Sequence, residues 1–405
     1  MSKHTPEITA AERALILEKA AGLAEQFAAV GKDCDVANRF PVELVPLYKE
    51  SGIASAAVPK RHGGLGADIG TVSAIGRELA KGDPAIALSF NMHQTMVGIF
   101  RTTPSLDEDK RAALLARIAE EDLLLCGPFS EARAGLSGLA DTVAVPQPDG
   151  GWRITGKKNW STLIEGCDLI ALNATITDPD GAIPEDYHEH AERESMFIVP
   201  VGSPGVSIDK TWDTLGMRAT GSQTLVLDEV FAGPDAYGGN FRQGLVGEAE
   251  WAALGFAGVY LGLAEKAYFE AREFLKKKHL GATASGQDTD VKQLGYIQHG
   301  LGRMYTSIVV TARVLQQTAQ TAIDGADDPW PASMRKANWD IAKVNATETA
   351  ISVTDGALRL VGGASFRRGN VLERLFRDAR AGLLHSFGTD QLYDHVGKAE
   401  FGLLG

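Results

Sequence analysis

The chain has 405 residues, and 40 Lys and Arg against 52 Asp and Glu leave a formal charge of −12. Apolar residues at 44% and charged residues at 23% give a globular composition with enough apolar side chains for a large core, which excludes wholesale disorder. The acidic balance is a poor match for nucleic-acid phosphates. No apolar run reaches the roughly 18 residues of a membrane span, and the N-terminal segment lacks the apolar core of a secretory signal. Cys34, Cys126 and Cys167 are too widely spaced for a disulfide framework or a zinc site, so a reducing cytoplasm and no metal are expected.

Leu15, Ile16, Ala20, Leu23, Ala24 and Phe27 recur at helical spacing and predict a helix over residues 11–29. Pro41 opens a second helix that Gly52 ends, and Gly63-Gly64-Leu65-Gly66 must be loop. Residues 69–99 are again helical, with a break at Gly82-Asp83-Pro84, and residues 107–121 form a further helix. From residue 123 the pattern changes to short strand-like runs: 123–129, 142–145, 151–155, 169–174, 195–201, 206–210 and 223–230. With no helical pattern between them, these runs predict an antiparallel barrel or sandwich, and the acidic stretch 184–194 reads as a solvated insertion. Residues 247–278, 289–324, 331–362 and 371–384 are helical, and 390–402 add a short helix. The expected architecture is α+β and mainly α. It comprises an N-terminal helical domain (1–122), a middle antiparallel β domain (123–240) and a C-terminal four-helix bundle (241–405).

Several stretches in this order carry a specific likeness. Val58-Pro59-Lys60-Arg61-His62-Gly63-Gly64 lies near the start. Phe129-Ser130-Glu131 with Ala134-Gly135, then Gly156-Lys157-Lys158-Asn159-Trp160-Ser161-Thr162, occupy the middle. Leu215-Gly216-Met217-Arg218 precedes a strand that ends Asp228-Glu229-Val230. Val361-Gly362-Gly363-Ala364 and Leu372-Glu373-Arg374-Leu375-Phe376-Arg377-Asp378-Ala379-Arg380 lie near the end. Over nearly its whole length the chain resembles the acyl-CoA dehydrogenase superfamily.

The resemblance implies a homotetramer, or a dimer, with one FAD per subunit lying between the β unit and the C-terminal bundle. It assigns Phe129, Ser130, Gly135, Trp160, Ser161 and Thr162 to the flavin end. Lys277, Gln298, Arg359, Gly362, Gly363, Thr389 and Gln391 fall to the rest of the cofactor. A flavin needs hydrogen-bond donors where negative charge gathers on reduction, and an aromatic side chain can cover one face. Taken alone, Ser130 also reads as a turn former and Trp160 as core. Arg377-Asp378 reads as a structural ion-pair set.

The family's phosphate-pairing Arg is Lys277 here, its Gln before the paired glycines is Arg359, and its acyl-CoA-contacting Ser is Leu136. The larger departure concerns the base. Family dehydrogenases take the α-proton of an acyl-CoA with a Glu in a Tyr-Glu-Gly-Thr loop, yet here the segment reads Leu384-His385-Ser386-Phe387-Gly388-Thr389. Ser386 or Phe387 falls at the Glu position. Relatives with the Glu on the first bundle helix would place it at Ala252, and Glu250 lies about 200° round that helix. His93 and His385 match histidines of superfamily monooxygenases, where a His serves oxygen chemistry as a proton donor. Each also reads as a hydrogen-bonded pocket or core residue. The leading expectation is an FAD-dependent dehydrogenase of an acyl-CoA that passes electrons to an electron-transfer flavoprotein, with His385, Glu250 or His93 in the catalytic role. The alternatives are a monooxygenase fed reduced flavin by a flavin reductase and acting on a small-molecule substrate, and a non-catalytic acyl-binding flavoprotein.

Overall fold

The computed structural model describes residues 6–132, 138–148, 150–246, 249–282, 288–324, 332–385 and 388–403. The N-terminal part holds α1 (Ala10–Ala37), α2 (Leu44–Glu50), α3 (Ile69–Gly82), α4 (Pro84–Thr102) and α5 (Glu108–Glu120). Helix α1 runs well past the expected end at residue 29, because buried Gly31, Cys34 and Asp35 continue its inner face. The break between α3 and α4 falls where the sequence places it. Asp83 accepts from the amides of Ala85 and Ile86, each at 3.1 Å, and Pro84 takes a first-turn position that needs no donor.

The middle part consists of β1 (Leu125–Cys126), β2 (Val143–Pro146), β3 (Trp152–Ser161), β4 (Leu169–Ile176), α6 (Tyr187–Arg193), β5 (Glu194–Pro200), β6 (Val206–Asp209), β7 (Gln223–Ala232) and β8 (Tyr237–Asn240). The sheet order is β6-β7-β3-β2-β4-β5-β8, with β1 also on β4. The sheet is mixed, not purely antiparallel as the sequence suggested, since β1 and β2 both run parallel to β4. Alternation and turn residues mark strands but carry no information on pairing direction. The acidic stretch is also more ordered than expected: Asp186 caps α6 by accepting from His188 and Glu189.

The C-terminal part contains α7 (Glu250–Lys277), β9 (His279–Ala282), β10 (Asp288–Asp290), α8 (Gly295–Asp324), α9 (Ala332–Val361), α10 (Val371–Ala379) and α11 (Thr389–Glu400). The antiparallel β9–β10 ladder has no counterpart in the sequence reading. Helix α7 is the central element and packs on α3, α8 and α9. Its approach to α3 requires small residues. A Cβ on Gly258 would lie 2.1 Å from the Ser73 carbonyl oxygen, and one on Gly262 would lie 2.3 Å from that of Arg77.

Buried charges lock the three parts together. Arg377 on α10 donates to both carboxylate oxygens of Asp35 on α1 (3.0 and 2.7 Å) and to the Leu215 carbonyl (2.9 Å). The Met217 amide donates to Asp378 at 2.6 Å. Among the described residues no helix is long and apolar enough to cross a membrane, and no cluster of three metal-ligating side chains occurs.

Candidate active site

On the β unit, Ser130 and Asn159 form a bridge in which the Asn159 amide donates to the Ser130 carbonyl at 2.7 Å. Just beyond, Trp160 takes φ +56°, and the Thr162 amide turns back onto its carbonyl at 2.9 Å. This left-handed backbone swings the Trp160 ring out of the sheet. The ring is 55% exposed and meets Trp212 edge-on at 6.4 Å. The Thr162 hydroxyl joins those of Ser222 and Thr220 in a chain of 2.8 and 2.7 Å bonds. Ser130, Trp160 and Thr162 are thus brought together, and Phe129 packs on Phe241 at 5.2 Å. Ser161 is buried and faces the carbonyl of Lys158.

Sequence reading missed what anchors this edge. Lys158 is fully buried and donates to Glu131 and, at 2.8 Å, to Asn173. Burial pulls its ammonium below the usual lysine range while Glu131 opposes that shift. Glu131 also accepts from the Thr142 hydroxyl at 2.7 Å. The available signal was that Lys158 sits in phase with Ile154 on the inward face of β3.

The two histidines differ in kind. His93 on α4 is fully buried, its Nε2–H donates to the Ala54 carbonyl at 2.7 Å, and its Nδ1 accepts from the Leu125 amide at 3.0 Å. Burial pulls its pKa down to about 4. With both nitrogens held by backbone, neither is free for the acid–base role expected of it. His93 instead clamps β1 to the N-terminal helices.

His385 lies in the turn after α10; the residue keeps some exposure while its ring packs against α7. Its ring stacks on Phe256 at 4.5 Å and 23°, and its Nε2 lies 2.8 Å from the Tyr260 hydroxyl. Lys343, buried on α9, donates to the carbonyls of Gly382 (3.1 Å) and His385 (3.4 Å). Burial, and secondarily the Lys343 ammonium, push the His385 imidazole down to about 3. Tyr260 was not singled out from sequence, although 252, 256 and 260 share one face of α7. Glu250 is buried in the first turn of α7, about 120° round from Phe256, so the structure leaves it off that face.

The remaining candidates lie on the C-terminal helices. Lys277, Gln298, Arg359 and Gln391 are exposed, and Thr389 is half-buried. The Gln298 side chain donates to the Lys292 carbonyl at 2.9 Å, Arg359 pairs with Asp355, and the Thr389 hydroxyl donates to Glu348 at 3.0 Å. The Gln391 side chain accepts from the Gly388 amide. Gly362 has φ +77°, and a Cβ on Gly362 or Gly363 would meet nothing within 4 Å. Close to them in sequence, the large side chains of Tyr296 and Phe366 stand exposed, at 65% and 84%. Gly135, Leu136, Ser386 and Phe387 lie outside the described residues.

Three family models match in order: acyl-CoA dehydrogenase N-terminal domain over residues 9–122, middle domain over 129–230 and C-terminal domain over 254–389. The chain is 30% identical over 389 residues to YdbM of Bacillus subtilis, whose designation as an acyl-CoA dehydrogenase is provisional; the match covers 95% of this chain and 96% of that protein. It is 26% identical over 396 residues to a dibenzothiophene monooxygenase of Rhodococcus qingshengii (94% and 91% covered). Similar solved structures are butyryl-CoA dehydrogenase of Megasphaera elsdenii and TdsC of Paenibacillus with FMN and indole. The first has a TM-score of 0.84, 21% identity and 98% and 99% coverage. The second has a TM-score of 0.83, 22% identity and 96% and 97% coverage. With all three domain models matched in sequence, the chain belongs to the acyl-CoA dehydrogenase family.

Proposed function

We propose that the chain is a flavin-dependent monooxygenase of this family, using reduced flavin supplied by a reductase to oxygenate a small sulfur-, nitrogen- or ring-containing substrate. The observation that carries this reading is the state of His385. It stands within two residues of the position where family dehydrogenases carry their base, yet its Nε2 is engaged by the Tyr260 hydroxyl, its ring is stacked on Phe256, and the Lys343 ammonium holds its main-chain carbonyl. A group whose conjugate acid has a pKa near 3 is a feeble acceptor for the α-proton of a thioester. The first acidic residue after Asp378 is Asp390, so that turn supplies no carboxylate in its place.

The residues fit a flavin. The out-turned Trp160 ring suits one face of an isoalloxazine, and the Ser130 and Thr162 region suits its polar edge. The open backbone at Gly362 and Gly363, with exposed Lys277 and Arg359, suits a diphosphate, which favours FAD. Bound in reduced form, the flavin supplies the two electrons with which one atom of dioxygen enters the substrate and the other leaves as water. Exposed Tyr296 and Phe366, near the cofactor candidates in sequence, favour a homo-oligomer, tetramer or dimer, whose second subunit covers them.

A second reading is an acyl-CoA dehydrogenase coupled to an electron-transfer flavoprotein, favoured by the preserved glycine pair and by the likeness to YdbM. Anaerobic mixing of FAD-loaded protein with a series of straight-chain acyl-CoAs separates the two. The monooxygenase reading expects no bleaching of the flavin. It also expects oxygen uptake only with a reductase present, with label from ¹⁸O₂ entering thioether, amine or indole probes. Bleaching by any acyl-CoA overturns it in favour of the dehydrogenase.

A further inference from the structure

The proton of a neutral imidazole sits on one nitrogen only, and which one decides which nitrogen of His385 can donate and which can accept. The structure restricts the choice. Tyr260 lies on α7 and is fully buried, so its hydroxyl is sealed from solvent. Among the described residues the only hydrogen-bond partner of that hydroxyl is His385 Nε2, at 2.8 Å. If Nε2 carried the proton, it would donate to the phenol oxygen and leave the phenol hydrogen without an acceptor. An unmade donor in the interior is costly. If the phenol donates to Nε2, both groups are satisfied and the imidazole proton resides on Nδ1.

Nδ1 is the nitrogen that Tyr260 does not engage. Among the described residues it has no partner, and it is not one of the sealed, unpaired polar atoms of the interior. Packing and backbone contacts hold this turn against its neighbours. Phe256 stacks on it at 4.5 Å, and the buried Lys343 ammonium holds the main-chain carbonyl of the same residue at 3.4 Å. The neighbouring carbonyl of Gly382 is held by the same ammonium at 3.1 Å, and a Cβ on Gly382 would come within 3.1 Å of the Tyr260 ring, so turn and helix are in contact.

We infer that Tyr260 is a positioning residue that fixes the tautomer of His385, so that the imidazole carries its proton on Nδ1 as a donor and its basic nitrogen, Nε2, is taken up by the phenol. The inference rests on the reading that His385 stands at the reacting centre. There a neutral N–H donor suits an oxygen atom gathering negative charge during oxygen transfer, and gives up no proton while the substrate binds. A dehydrogenase base would need the opposite tautomer.

The tautomer is read directly by ¹⁵N solid-state NMR of protein labelled at histidine, with the His385 signals identified by their loss in His385→Asn. The expected spectrum has a protonated, pyrrole-type Nδ1 and an unprotonated, pyridine-type Nε2, unchanged between pH 8 and pH 5.5. Tyr260→Phe, which keeps the ring and removes the hydroxyl, should shift part of the signal to the other tautomer while His93 keeps its Nε2–H form. A protonated Nε2 in the unaltered protein overturns the inference, whatever Tyr260→Phe does. The functional reading fails separately, through flavin bleaching by an acyl-CoA.

Discussion

His93→Leu isolates a buried group whose job the structure assigns to architecture. The side chains are of similar size, so the main loss is hydrogen bonding. The Leu125 amide loses its acceptor, while the Ala54 carbonyl keeps a longer 3.3 Å bond from Gln94. One orphaned amide and one weakened carbonyl should cost about 2–4 kcal/mol at pH 7. The pH dependence is the sharper signature. The His93 pKa falls from 6.5 to about 4 on folding, so the unfolded chain binds the extra proton in between. The associated stability is present above pH 6.5 and is lost as pH falls towards 4. Between pH 7 and pH 5 the unaltered protein should lose about 2 kcal/mol through this group, and the Leu variant should not. The gap between the two proteins in urea-unfolding free energy should therefore narrow by that amount. A constant gap across the range would show that His93 is not held neutral by burial. A loss of oxygenation without any loss of stability would restore it as a catalytic candidate.

Trp160→Ala, or Ser130→Ala combined with Thr162→Ala, should lower flavin content after gel filtration several-fold, because a stacked ring or edge hydroxyls are removed; unchanged content would move the flavin elsewhere. Gly258→Ala places a methyl 2.1 Å from the Ser73 carbonyl of α3, so it should destabilise by about 1–3 kcal/mol despite the better helix propensity of Ala, read as a lower urea midpoint.

The order of helices and strands was legible because it is written locally. Helical spacing of apolar residues located the long C-terminal helices, and Gly82-Asp83-Pro84 marked the α3–α4 break through a cap and a missing donor. The proposed flavin-edge residues were legible only as a resemblance, yet the structure does bring Ser130, Trp160 and Thr162 together where β3 ends. What the sequence could not decide depended on distant partners. The parallel pairing of β1 and β2 with β4 is one case, since strand direction is set by how the chain crosses the sheet. The two histidines are the other. His93 and His385 look alike in sequence, and only packing distinguishes them. One is held at both nitrogens by backbone 39 and 32 residues away, the other at one nitrogen by a phenol 125 residues away. A histidine's chemistry is set by what burial removes and which partners remain, and those partners are chosen by the tertiary fold.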